Sequence, residues 1–81
     1  MWYVYIIQCK DKTLYTGITT DVVKRFRAHQ EGSGAAYTAS HPPQKIVYKE
    51  KISSRSLALK REAYIKKLSR KEKLLIISPH K

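Results

Sequence analysis

The 81-residue chain has one cysteine, three glycines, three prolines, no asparagine, and only six acidic residues against seventeen lysines and arginines. A single cysteine, Cys9, excludes an internal disulfide framework and fits a reducing compartment. Without a His/Cys cluster at ligand spacing, a zinc site is not expected. No apolar run approaches the length of a membrane span and the N-terminus carries no secretory pattern, so a cytoplasmic location without a membrane partner is expected. The shortage of acid leaves a net charge of +11, which favours a polyanionic partner.

What is present is enough for a fold. Hydrophobic content of 42% with 28% charged residues is ordinary for a folded chain and too apolar for a disordered one. One domain over residues 1–81 is expected, with a thin core. Trp2 to Cys9 is rich in aromatic and β-branched residues and reads as a strand with Tyr3, Tyr5 and Ile7 on one face and Trp2, Val4 and Ile6 on the other. Both faces are apolar, which suits a central strand in which Cys9 is a small buried group. A polar turn over residues 10–13 leads to a second strand, Leu14 to Thr19, completing a hairpin.

Thr20 or Asp21 caps a helix over about residues 21–31, stopped by Gly32, with Val22, Phe26 and Val23 as its buried stripe. A flexible loop carrying Tyr37, Thr38, Ser40 and His41 runs to Pro42 and Pro43. Gln44 to Lys51 reads as a third strand, and a second helix begins at Ser53 or Ser54 and runs to about Leu68. Ser69 and Glu72 form a capping-box pattern for a short third helix that Pro79 ends. The fold class is α/β (α+β): a three-stranded sheet with about three helices.

Several side chains are of types that phosphoryl chemistry uses. Tyr15-Thr16-Gly17 lies ten residues after Tyr5; Arg25 follows Gly17 by eight residues and His29 by twelve, with Glu62 far downstream. Forming phenolate from a free tyrosine at pH 7 costs about 4 kcal/mol, so a tyrosine base needs a nearby cation or concerted loss of its own proton. Arg25 and His29, four apart, share one side of their helix, and an arginine fork matches phosphate geometry. The bland account of Arg25 is a basic helix face shared with Lys24 and Arg27, and of His29 a surface histidine. Glu62 suits either an ion pair with Lys66 or sparse ligation of Mg²⁺ or Mn²⁺. The remaining basic residues, Lys60, Arg61, Lys66, Lys67, Arg70, Lys71 and Lys73, suit salt-dependent contact with a nucleic-acid backbone.

The series resembles the GIY-YIG nuclease family. Tyr3-Val4-Tyr5 stands at the first motif, Tyr15-Thr16-Gly17 at the second, and Arg25, His29 and Glu62 follow at family-like offsets. That resemblance implies a small antiparallel sheet flanked by helices and metal-dependent endonucleolytic cleavage of DNA, with a part in repair or recombination. Carried over, Glu62 would hold the cation, Arg25 would engage the scissile phosphate, and Tyr15 would be the base. Tyr5 and His29 would position the water or pass on the proton, and Gly17 would let backbone approach the site. Lys24, Arg27, Tyr37 and the basic helices would contact nucleic acid. Two features depart from the pattern: the absent asparagine, and Ile18 where some repair enzymes carry lysine. The alternative expectation is a non-catalytic or weakly catalytic module that binds DNA or RNA.

Overall fold

The strand with two apolar faces is the middle one. In the computed structural model, which describes residues 1–77, β1 (Trp2–Cys9) pairs antiparallel with both β2 (Leu14–Thr19) and β3 (Pro43–Ile52), giving the order β2-β1-β3. The sheet register places Tyr5 opposite Gly17, Ile7 opposite Tyr15, and Ile6 opposite Thr16. In the hairpin turn Lys12 takes a left-handed φ of 74°, and the Asp11 carboxylate accepts from the Thr13 N–H at 3.1 Å and hydroxyl at 2.6 Å. Such side-chain bonds replace backbone ones at a tight reversal. β3 forms the other edge, where exposed Lys45, Lys49 and Lys51 oppose pairing with a further strand.

Among the described residues four helices flank the sheet rather than three: α1 (Val22–Gln30), α2 (Ala36–Ser40), α3 (Arg55–Lys66) and α4 (Arg70–Ile77). Asp21 caps α1 by accepting from the Lys24 N–H at 3.0 Å, and Ser54 caps α3 by accepting from the Leu57 N–H at 3.2 Å. The expected capping box opens α4: the Ser69 N–H donates to Glu72 at 2.9 Å and the Glu72 N–H to the Ser69 hydroxyl at 3.2 Å. The stop expected at Pro79 lies outside the described residues. The added element, α2, occupies what reads in sequence as loop.

The core divides between the faces of β1. Val4 and Ile6 pack with Ala58 and Ile65 of α3, supported by Leu14, Ile18 and Ile76. Tyr5, Ile7 and Cys9 pack with Val22 of α1, supported by Tyr15, Phe26 and Ile46. Cys9 is fully buried, and burial pushes its thiol upward, away from the reactive thiolate. Val23 does not join the α1 stripe; it is 65% exposed, because Val22, Phe26 and His29, at offsets of four and three, turn the inner face away from it.

Candidate active site

The polar centre lies on the Tyr5 face of the sheet and begins with a glycine. A Cβ on Gly17 would stand 2.6 Å from the Tyr5 hydroxyl oxygen, 2.8 Å from Cζ and 3.2 Å from the Tyr15 ring. Glycine at this register position is what allows the Tyr5 phenol to lie across β2. The close approach is by a side chain over the Gly17 backbone, a more specific use of the glycine than the sequence alone suggests.

Above Tyr5 sits His29. It is fully buried, which corrects the reading of a surface histidine: the inner stripe of α1 carries it under the loop before α2. Its Nε2 is 2.9 Å from the Tyr5 hydroxyl, and its Nδ1 is 2.6 Å from the Thr38 hydroxyl. Gly34 closes the lid, since a Cβ there would fall 2.3 Å from His29 Nδ1. Burial, with the Arg25 charge second, lowers the His29 pKa and favours the neutral ring. Thr38, a loop hydroxyl suited by sequence to touch a phosphate, is instead buried against the His29 ring, and Gly34 could not be found from its sequence position because its role is contact with a ring on another element.

Arg25, one turn before His29, donates a hydrogen bond from Nη2 to the Gly34 carbonyl. Its guanidinium also acts on Tyr5. Burial dominates that phenol, pushing its pKa up to about 12; Arg25 opposes the rise, while the charges of Tyr15 and Glu62 add to it. Ionising Tyr5 alone at pH 7 would therefore cost about 7 kcal/mol. It stays protonated.

The charge of Glu62, on the helix that packs against the other face of the sheet, makes the smallest of the contributions that raise the Tyr5 pKa. Glu62 shares one stripe of α3 with Ala58 and Ile65, at offsets of four and three, both of which are fully buried against the sheet. Its side chain is only 19% exposed and faces Lys66 Nζ at 3.4 Å, so the expected ion pair exists. In sequence it was singled out by its place in the family resemblance.

Tyr15 is held by rings on three sides. Its ring meets His29 edge-on at 5.1 Å, tilts against Tyr5 at 6.4 Å and stacks on Tyr37 at 5.8 Å. Tyr37 stacks in turn on His41 at 4.3 Å, and His41 Nδ1 lies 2.8 Å from the Asp11 carboxylate, tying α2 to the hairpin turn. Hydrogen bonds from Thr13 and His41 hold the Asp11 pKa down at about 2.

Two shallow grooves border this centre. One, of about 230 Å³, is lined by Thr19, Thr20, Asp21, Lys24, Arg25 and Ala28; the other, of about 220 Å³, by Thr13, Leu14, Tyr37, Arg70 and Lys73. Lys24, Arg27, Lys60, Lys66, Lys67, Arg70 and Lys71 are exposed. Arg61 differs from these. Its Nε donates to Glu50 of β3 at 2.9 Å and its guanidinium covers the Tyr64 ring at 5.2 Å, so it is engaged within the fold.

The described residues contain no group of three or more His, Cys, Asp or Glu side chains able to enclose a metal. A single partly exposed carboxylate suits a hard cation that keeps its waters and takes substrate oxygens, as magnesium does. The donor set fits that kind of ion and no thiophilic one. No helix among the described residues is long and apolar enough to cross a membrane.

Comparison with known proteins agrees with this architecture. The family model of the GIY-YIG catalytic domain matches residues 1–74. A UPF0213 protein of Syntrophus aciditrophicus is 55% identical over 76 residues, covering 93% of this chain and 87% of that protein. Another, from Clostridium perfringens, is 51% identical over 78 residues, covering 96% and 84%. The solution NMR structure of a UPF0213 protein from Bacillus halodurans superposes with a TM-score of 0.62 at 41% identity, covering 99% of this chain and 86% of that one.

Proposed function

This chain belongs to the GIY-YIG catalytic-domain family, which implies nuclease chemistry in general, and on that premise we propose that it is a divalent-metal-dependent DNA endonuclease that hydrolyses phosphodiester bonds. The observation that carries the reading is the gathering of two phenols, a guanidinium and a buried imidazole from three elements about Tyr5. Glu62 would hold Mg²⁺ or Mn²⁺. When bound, the cation would acidify a water and stabilise the leaving oxygen.

The side chains divide the rest. Tyr15 is half-buried, is held by its neighbours' rings, and takes the water's proton in concert with release of its own phenolic proton to bulk solvent. The Tyr5 oxygen accepts a hydrogen bond from that water and orients it, while its hydroxyl is tied to His29 Nε2 at 2.9 Å. Arg25 has N–H groups beyond the one on Gly34 and directs them at the phosphate, where charge develops during attack. Exposed Lys24 and Arg27 beside one groove, and Arg70 with Lys71 beside the other, bind the DNA backbone without base readout. Nonspecific or structure-selective cutting follows, of use in repair or recombination.

Incubation of purified protein with supercoiled plasmid and Mg²⁺ tests the reading. Nicking that disappears with EDTA and with Glu62→Ala is expected. Nicking that survives both would place the activity elsewhere. Retained DNA binding with no nicking under any metal would favour the binding-module alternative.

A further inference from the structure

His29 has both ring nitrogens bonded, yet the orientation of Tyr5 uses only one of them. The other bond leads to Thr38, a buried threonine in α2. Thr38 has a single hydroxyl proton and two neighbours: His29 Nδ1 at 2.6 Å and the Ala35 carbonyl at 3.2 Å. A carbonyl only accepts, so a proton placed there leaves Thr38 Oγ1 as an acceptor toward the imidazole. Nδ1 must then be the protonated nitrogen. At the opposite end, Arg25 can act on the Tyr5 oxygen only as a donor, which leaves the phenolic proton free to point at Nε2. Both ends accommodate the same direction.

We infer that Thr38 is a positioning residue: by donating to the Ala35 carbonyl it holds His29 in the Nδ1–H tautomer, and His29 in turn draws the Tyr5 proton inward. The polarity of the Tyr5 oxygen toward the pocket follows. With its proton committed to Nε2, that oxygen presents lone pairs outward and accepts from a water. In the opposite tautomer Nε2–H would donate to Tyr5, and the phenol would aim its proton at the nucleophile. The second nitrogen of a functional imidazole sets the first in this way generally. Burial of the ring, which favours its neutral form, keeps two tautomers rather than an imidazolium in play. The consequence for catalysis rests on the nuclease reading; the tautomer does not.

The test uses the full ¹⁵N-labelled chain, with imidazole ¹H–¹⁵N correlations at neutral pH assigned by their loss in His29→Gln. The wild type should show a pyrrole-type Nδ1 and a pyridine-type Nε2 at His29. Thr38→Val, which keeps shape but removes the acceptor, should move the ring toward Nε2–H, and Thr38→Ser should restore Nδ1–H. In plasmid cleavage Thr38→Val should lower kcat by roughly tenfold to a hundredfold with KM unchanged, the scale on which outer partners of functional groups act. Thr38→Ser should recover it. A wild-type Nε2–H tautomer, or a Thr38→Val spectrum identical to wild type, would overturn the inference. Should Thr38→Val not fold, the wild-type and Thr38→Ser spectra decide alone. An Nδ1–H ring in a protein that cuts no DNA would support the tautomer while removing the nuclease reading.

Discussion

Adjacent residues of β1 enter two layers of opposite character. Val4 and Ile6 meet Ala58 and Ile65 of α3, and that face is held by aliphatic packing. Tyr5, between them, meets Gly17, His29 and Arg25 on the other face, where buried polar atoms find partners. The contrast extends to defects. Among the described residues, the buried side-chain atom without a hydrogen-bond partner is Thr16 Oγ1, opposite Ile6 on the aliphatic face. The aliphatic layer tolerates an unpaired hydroxyl because nothing there depends on direction. On the Tyr5 face, the buried polar atoms are paired in fixed directions. Glu62 joins the two, since its backbone belongs to the aliphatic layer and its charge reaches Tyr5.

Substitutions should respect that division. The largest effect falls on the polar face: Arg25→Ala should reduce plasmid cleavage by about a hundredfold to a thousandfold, as loss of a donor to developing charge does, with little change in thermal midpoint. The mirror experiment is Ile6→Ala. It should cost about 2–5 kcal/mol in urea unfolding while the cleavage rate per folded molecule is preserved. A large loss of that rate would mean that the faces are not separable.

Gly17→Ala should break the division from the polar side. Its Cβ displaces the Tyr5 phenol from His29, so cleavage and stability fall together, the latter by about 1–3 kcal/mol. A smaller effect is pH-dependent. His29 has a folded pKa below its ordinary 6.5, so the unfolded chain binds the proton more readily. Its contribution to stability is present above that value and declines as pH falls through it toward the folded pKa. Unfolding free energies across this range should therefore decline less steeply in His29→Gln than in wild type. The smallest effect is a gain: Thr16→Val should stabilise by about 1 kcal/mol, because it removes an unpaired buried hydroxyl.

Much of the aliphatic layer was legible in the sequence because it obeys periodicity. The two apolar faces of Trp2 to Cys9 require a central strand, and Ser69 with Glu72 announces a helix start. The spacing of Arg25 and His29 from the tyrosines named two side chains that lie beside Tyr5. What was not legible depends on contacts between elements. Residues 36–40 are too few to show a helical period, and Ala35 supplies no side-chain cap, so α2 read as loop. The burial of His29 depends on Gly34 lying over its ring, which no local pattern records. Val23 looked like a core residue by type, and its neighbours' better geometry excluded it.

The central claim is that side chains from both layers surround one cation held at Glu62. NMR spectra recorded during Mn²⁺ titration test it directly, because paramagnetic broadening reports distance from the bound ion. The account predicts early, selective broadening of Tyr5, Tyr15, Arg25 and His29 signals in the wild type and its loss in Glu62→Ala. Broadening that centres instead on Asp11 or Glu50, or that is unchanged by Glu62→Ala, would contradict it.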